Sequence, residues 1–98
     1  MKEITASELE KRLDEGQHVN MIDVREDDEI ATGKVIGAIH IPLGEIPARL
    51  DELDKTKPYT LICRSGGRSG RAAEFLEEKG YDVTNMTGGM LSWQGPIE

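Results

Sequence analysis

One stretch of the sequence decides the predicted fold: Tyr59-Thr60-Leu61-Ile62-Cys63-Arg64-Ser65-Gly66-Gly67-Arg68-Ser69. It begins with a short run of strand-forming residues and continues into a loop with two glycines and two serines. A helical spacing of apolar residues then runs from Ser69 to Leu76 and stops at Gly80. Cys63 is therefore expected at the carboxyl end of a strand, in a loop that leads into a helix.

Strand and helix patterns alternate on both sides of this stretch. Further short apolar runs predict strands at residues 19–24, 38–41 and 83–86. Helical patterns occupy the segments between them: a capping box at Thr5 to Glu8 with a stop at Gly16, an acidic start at 26–29, apolar spacing at 46–53, and a short last helix at 89–93. The alternation predicts an α/β fold, a three-layer sandwich whose mostly parallel central sheet is flanked by helices. Residues 1–98 are expected to form a single domain.

Composition and charge exclude several classes of protein. The 98 residues carry a net charge of -7, which disfavours binding to nucleic acid or to anionic lipid. No apolar run approaches the length of a membrane span, and acidic residues stand where a secretory signal would be apolar. The single cysteine excludes an internal disulfide, and a free thiol persists best in a reducing compartment. These features predict a cytoplasmic protein that binds neither membranes nor nucleic acid.

The residues around Cys63 predict a reactive thiolate rather than an inert buried cysteine. Glycines allow the backbone to curl so that successive N–H groups point inward and form an anion-binding concavity. The following helix adds the positive end of its dipole, and Arg64 and Arg68 add positive charge. No acidic residue lies between Cys63 and Glu74. An unperturbed thiol is only about 3% ionised at pH 7, and we expect this loop to lower its pKa.

The chain resembles rhodanese-like domains in four segments. They are Ile22-Asp23-Val24-Arg25-Glu26, Gly37-Ala38-Ile39-His40-Ile41-Pro42-Leu43, the CRSGGRS loop from Cys63 to Ser69, and Gly88-Gly89-Met90-Leu91-Ser92-Trp93. The resemblance covers nearly the whole chain in the family's order and spacing. It implies a rhodanese fold and a sulfurtransferase that needs no cofactor. Sulfane sulfur would pass from thiosulfate or a persulfide donor, through a Cys63 persulfide, to cyanide or a thiol, with a protein able to act as donor or acceptor.

The resemblance also assigns the substrate-binding or anion-binding loop. Its members are Arg64, Ser65, Gly66, Gly67, Arg68 and Ser69. Arg68 is expected either to bind the anionic substrate or to hydrogen-bond the carbonyls of its own loop. One segment departs from the family pattern: many members have Gly-His-Ile-Pro-Gly-Ala where this chain has Gly33-Lys34-Val35-Ile36-Gly37-Ala38. The change concerns a local turn and a partner surface and leaves the catalytic loop intact.

Two other functions are compatible with the sequence. A cysteine-dependent phosphatase also surrounds a thiolate with an anion cradle and an arginine, but it places five residues between them, whereas four lie between Cys63 and Arg68. A rhodanese-like module that only binds a protein would be expected to lack the nucleophile. Rapid alkylation of Cys63 near neutral pH distinguishes the enzyme from the binding module.

Residues outside the loop receive supporting roles. Asp23 and Arg25 lie at the end of a neighbouring strand, where we expect them to brace the loop rather than to react. His40 is interpreted as a hydrogen-bonded structural residue and not as a base. No group of His, Cys, Asp or Glu has the spacing of metal ligands, so no metal is predicted.

Overall fold

The computed structural model describes all residues from Met1 to Glu98. Its strands are β1 (Lys2–Thr5), β2 (Met21–Asp23), β3 (Ile39–His40), β4 (Pro58–Ile62) and β5 (Asp82–Thr87). They form one sheet in the order β1-β5-β4-β2-β3, and every neighbouring pair is parallel. The helices are α1 (Ala6–Asp14), α2 (Asp27–Ile30) and α3 (Gly67–Glu78). Short 3-10 helices occur at Leu43–Glu45, Pro47–Glu52 and Gly89–Ser92, and the last is called here the C-terminal 3-10 helix.

Helices cover both faces of the sheet. Successive residues of β4 point to opposite sides: Leu61 packs in a core cluster with Leu76 of α3, and Ile62 packs in a second cluster with Leu9 of α1. Strands buried on both faces explain the short, nearly continuous apolar runs of the sequence. The predicted α/β fold with a parallel sheet between helices is confirmed. No helix is long and apolar enough to span a membrane.

The first helix begins as the sequence predicts. The Thr5 hydroxyl accepts the N–H of Glu8 at 3.1 Å, and the Glu8 carboxylate accepts the N–H of Thr5 at 3.0 Å. These reciprocal bonds lower the pKa of Glu8 and complete the capping box. The helix ends at Asp14, and Gly16 follows with a φ of 82°.

Three details differ from the sequence prediction. The sequence patterns indicate no strand before α1, yet β1 pairs with β5; only Ile4 of its four residues is buried, so it shows no apolar period. The helical spacing at 46–53 corresponds to a 3-10 helix over Pro47–Glu52 that is interrupted at Arg49, and not to a regular α-helix. Helix α3 begins at Gly67 rather than at Ser69, because the curled loop already supplies a hydrogen bond from the N–H of Gly70 to the carbonyl of Gly66.

The segment that departs from the family pattern is held by the last residues of the chain. The Lys34 ammonium group donates to the carbonyl of Ala38 and to the carboxylate of Glu98, both at 2.8 Å. The same carboxylate accepts the N–H of Gly37 at 2.7 Å, and Val35 forms a β-bridge with Ile97. Lysine and glutamate therefore close the turn without the histidine and proline of the common pattern.

We expect Lys34→Met to lower the free energy of unfolding by about 1 kcal/mol, because it removes two hydrogen bonds from a largely buried ammonium group. Urea denaturation of the purified protein measures the change. The matched control is Lys57→Met, since the exposed Lys57 side chain makes no hydrogen bond or ion pair. Equal stabilities for the two variants would contradict the role given to Lys34.

Candidate active site

Cys63 occupies the junction between β4 and α3. Strand β4 ends at Ile62, and α3 begins at Gly67. Its neighbour β2 is parallel and ends at Asp23, which pairs with Ile62. The carboxyl ends of both strands therefore meet at the edge of the sheet where the Cys63 loop begins, a common position for ligand sites in parallel sheets.

The Cys63 sulfur is buried and surrounded by hydrogen-bond donors. The N–H of Gly66 lies 3.0 Å from Sγ, and the hydroxyl of Ser69 lies 3.2 Å from it. Burial raises the pKa of the thiol, but hydrogen bonds from the Ser69 hydroxyl and from loop N–H groups outweigh that effect and lower the pKa below its ordinary value. The loop thus favours the thiolate mainly through donors that point at the sulfur.

The C-terminal 3-10 helix determines which way the loop backbone faces. The N–H of Met90 donates to the carbonyl of Cys63 at 2.8 Å, and the N–H of Leu91 donates to the carbonyl of Arg64 at 3.0 Å. These bonds turn the two carbonyls away from the sulfur. Gly89 makes the approach possible, because its φ is 56° and a Cβ atom there would overlap the carbonyls of both Cys63 and Arg64.

Replacement of Gly89 by alanine should destabilise the protein by more than about 2 kcal/mol, because the added methyl group collides with backbone atoms in a left-handed conformation. The melting temperature should fall, and the rate of Cys63 alkylation should change as well. Gly44→Ala is the control, since a Cβ atom at Gly44 meets nothing within 4 Å and its φ is not positive. A Gly89→Ala protein as stable as this control would show that the close contact is unimportant.

A buried polar pair lies directly behind the sulfur. Ser69 on α3 and Asn85 on β5 are both buried, and the Ser69 hydroxyl donates to Oδ1 of Asn85 at 2.5 Å. The Asn85 side chain in turn donates from Nδ2 to the carbonyl of Gly66 at 3.1 Å. Sequence reasoning missed Asn85, although an amide within the apolar run from Val83 to Met86 is a signal that could have identified it.

Asp23 and Arg25 form a buried ion pair beside the loop. The Asp23 carboxylate accepts bonds from Nε and Nη2 of Arg25 at 2.9 to 3.1 Å. Arg25 also donates to the carbonyls of Glu29 at 3.4 Å and Gly33 at 2.7 Å. Neither side chain hydrogen-bonds the Cys63 loop directly, so any bracing acts through the α2 segment that Arg25 holds. His40 supports this arrangement by donating from Nε2 to the carbonyl of Arg25 at 2.5 Å.

Arg68 is bound by Glu29 of α2. Two hydrogen bonds of 2.6 and 2.7 Å join its guanidinium group to the carboxylate. They lower the pKa of Glu29 to about 2 and raise that of Arg68. Arg68 makes no hydrogen bond to the carbonyls of its own loop in this arrangement. Sequence analysis gave Glu29 only as part of the acidic start of a short helix, and only the tertiary contact distinguishes it from Asp28.

The pair between Glu29 and Arg68 should stabilise the protein at neutral pH but not in acid. Because the folded-state pKa of Glu29 lies below its ordinary value, this stabilisation is complete above pH 4.5 and is lost as the pH falls towards 2. We expect Glu29→Gln to reduce the unfolding free energy by about 1 kcal/mol near pH 7 and to have little effect near pH 2. Urea denaturation at both pH values measures the difference, with Asp28→Asn as the control. A deficit of the same size at both values would contradict the assignment.

A cleft opens next to Arg64. It has a volume of about 420 Å³ and is lined by Arg25, Asp28, Glu29, Thr32, Arg64, Met90 and Leu91. Arg64 is the only one of the loop's two arginines without an ion-pair partner, and Leu91 is 65% exposed. The cleft therefore offers one unpaired cation, the exposed carboxylate of Asp28 and an apolar rim, next to the residue that follows Cys63.

Trp93 lies on a different part of the surface. It is half-buried against the cluster that packs on α1, and its Nε1 donates to the carbonyl of Pro96 at 3.2 Å. It does not line the cleft next to Arg64. Its main role in the structure is to close the core beneath the C-terminal segment.

Comparison with known proteins gives consistent results. A family model described as a rhodanese-like domain matches residues 5–96. The protein YtwF of Bacillus subtilis is 42% identical over 95 residues, which cover 97% of this chain and 92% of YtwF. A sulfurtransferase of Allochromatium vinosum is 36% identical over 94 residues, or 95% of this chain and 88% of that protein. A crystal structure of a rhodanese-like domain protein from Staphylococcus aureus superposes with a TM-score of 0.94 at 39% identity, covering 100% of this chain and 97% of that one.

Proposed function

The chain belongs to the rhodanese-like family of sulfurtransferases, and we propose that it transfers sulfane sulfur through a persulfide on Cys63. The observation that carries the proposal is the environment of the sulfur. Sγ is buried at the carboxyl end of β4, where the N–H of Gly66 points at it and the hydroxyl of Ser69 lies 3.2 Å away, able to turn its proton towards a thiolate. Such donors stabilise a thiolate before the reaction and hold a bound sulfur anion after it.

In the first step the Cys63 thiolate attacks the outer sulfur of thiosulfate. A new bond forms between Sγ and that sulfur, the sulfur–sulfur bond of thiosulfate breaks, and sulfite leaves with the electron pair. The enzyme then carries a persulfide anion, and the total charge is unchanged. A persulfide donor reacts in the same way and releases a thiolate instead of sulfite.

In the second step an acceptor removes the outer sulfur. Cyanide, or the thiolate of a small molecule or a protein, attacks it and forms thiocyanate or a new persulfide. The electron pair of the broken bond returns to Sγ of Cys63, which regenerates the thiolate. Neither step requires a cofactor or a metal. A reducing compartment such as the cytoplasm suits this cycle, because it preserves the free thiol.

The loop residues divide between holding the sulfur and admitting the substrate. Backbone N–H groups of Ser65, Gly66 and Ser69 hydrogen-bond the sulfur. Arg64 faces the cleft without an acidic partner and is suited to attract an anionic donor. Arg68 keeps a predicted role in anion binding, although its ion pair with Glu29 offsets much of its charge. Asp23 and Arg25 act through α2, which positions Glu29.

Incubation with thiosulfate should increase the mass of the protein by one sulfur atom, and cyanide should then restore the original mass with release of thiocyanate. Intact-protein mass spectrometry follows both changes. Cys63→Ser should remain folded, because the hydroxyl is nearly isosteric with the thiol and finds the same partners, but it should gain no sulfur, since the hydroxyl lacks an adjacent base.

Two outcomes would overturn the proposal. Hydrolysis of an aryl phosphate through Cys63, without sulfur loading, would identify a phosphatase. A folded protein that neither gains sulfur nor hydrolyses phosphate, and whose Cys63 alkylates no faster than a free thiol, would identify a binding module.

A further inference from the structure

Asn85 lies behind the reacting sulfur, paired with Ser69, and has no part in the steps described above. Both residues are buried, and Ser69 is the only side chain that hydrogen-bonds Sγ of Cys63. Asn85 does not contact the sulfur itself and acts on it through Ser69 or through the loop residue Gly66. Whatever controls the hydroxyl proton of Ser69 therefore controls the one side-chain donor available to the nucleophile.

The orientation of the Asn85 amide follows from its contacts. Nδ2 lies 3.1 Å from the carbonyl of Gly66 and donates to it. Reversing the amide would place Oδ1 against that carbonyl, and two acceptors would then face each other in a buried site. Oδ1 therefore faces Ser69, at 2.5 Å from its hydroxyl oxygen.

The Ser69 hydroxyl has three acceptors within reach and only one proton. Asn85 Oδ1 lies at 2.5 Å, the Cys63 sulfur at 3.2 Å and the Gly66 carbonyl at 3.3 Å. Oδ1 can only accept, so the shortest contact holds the proton on the side away from the sulfur. The lone pairs of the hydroxyl then face Sγ, an arrangement that suits a neutral thiol better than a thiolate.

We propose that Asn85 is a positioning residue that limits, through the Ser69 hydroxyl, how much negative charge the Cys63 sulfur holds. For Sγ to carry full charge the hydroxyl must turn from Asn85 to the sulfur and give up its shortest hydrogen bond. The proposal itself concerns the free thiol. Its consequence for turnover rests on the proposed persulfide cycle.

In that cycle the hydroxyl proton follows the charge. When Cys63 carries the persulfide, the negative charge lies on the outer sulfur, and the proton of Ser69 can bond Asn85. When an acceptor takes the outer sulfur, the electron pair of the broken bond goes to Sγ, and the hydroxyl turns towards it. By keeping Sγ more basic than the loop alone would make it, Asn85 favours capture of sulfur over its release, since a more basic thiolate is a stronger nucleophile and a poorer leaving group.

The charged groups around the site do not account for this control. Arg68 on α3 is paired with Glu29 of α2, and Asp23 is paired with Arg25 at the end of β2. Arg64 lines the cleft. The C-terminal 3-10 helix contributes no ionisable side chain. None of the charged groups hydrogen-bonds Ser69 or Asn85, so the proton of Ser69 is shared only among the three acceptors already named.

A double-mutant cycle followed by alkylation tests the proposal. The rate of iodoacetamide alkylation against pH gives the pKa of Cys63 in the wild type, Asn85→Ala, Ser69→Ala and the double variant. Asn85→Ala should change that pKa differently in the two backgrounds. With Ser69 present, the shift should be about half to one unit further downward than in the Ser69→Ala background, because removal of Asn85 frees the hydroxyl proton for the thiolate. Ser69→Ala alone should raise the pKa. Asn20→Ala is the matched control, since it also removes an amide that donates to a backbone carbonyl at 3.1 Å, far from Cys63.

Equal shifts from Asn85→Ala with and without Ser69 would overturn the proposal, because Asn85 would then act only on the loop structure. If Asn85→Ala does not fold, Asn85→Leu serves in its place, because a leucine of similar shape fills the space that alanine leaves. It also removes the acceptor facing Ser69 and should likewise lower the pKa more when Ser69 is present than when it is absent. Alkylation needs no sulfur donor. If the shifts differ with and without Ser69 but the protein gains no sulfur, the result would therefore contradict the proposed function alone. Loading together with equal shifts would contradict this inference alone.

Discussion

The two hydrogen bonds from the N–H groups of Met90 and Leu91 to the carbonyls of Cys63 and Arg64 are the constraint on which the site depends. A loop that follows a strand can present either its carbonyls or its N–H groups to a central atom. Once the C-terminal 3-10 helix binds these carbonyls, the loop's N–H groups turn inward, and Sγ lies among donors instead of acceptors. The environment of the Cys63 sulfur is therefore set by residues more than twenty positions later in the chain.

Backbone and hydroxyl donors, rather than free arginines, dominate the electrostatics around the sulfur. Arg25 and Arg68 come close to the site, but each is neutralised by a carboxylate in a short ion pair. Arg64 remains as the unpaired cation of the loop, at the cleft. Fixed N–H dipoles stabilise a sulfur anion inside a buried site without adding a full charge that would need its own compensation. The cleft also contains the exposed carboxylate of Asp28, so Arg64 is its one unpaired cation rather than part of a strongly positive surface.

Helix α2 shows how one run of acidic residues can serve two purposes. Asp28 is exposed and makes no ion pair, whereas Glu29 binds Arg68 and, through its carbonyl, Arg25. The four-residue helix connects the buried ion pair at the end of β2 to the first turn of α3. In this way, side chains that do not contact the sulfur hold together the segments on the two sides of the Cys63 loop. Asn85 adds a contact from the other side, where β5 meets the loop.

The sequence by itself determined the α/β alternation, the position of Cys63 between strand and helix, and the capping box of α1, because these features follow from local periodicity and from residue types close together in the chain. It also indicated the family through four segments in register. It could not indicate β1, because a strand with a single buried residue shows no alternation of apolar and polar positions. It also could not indicate the 3-10 geometry around Arg49. The partners of Arg68 and Ser69 were equally inaccessible. Glu29 and Asn85 lie 39 and 16 positions away from them, and only the packing of α2 and β5 around α3 brings these groups within hydrogen-bonding distance. Tertiary structure decided these pairings because a hydrogen bond requires its two atoms to be placed to within a few tenths of an ångström, which no local pattern of residues encodes.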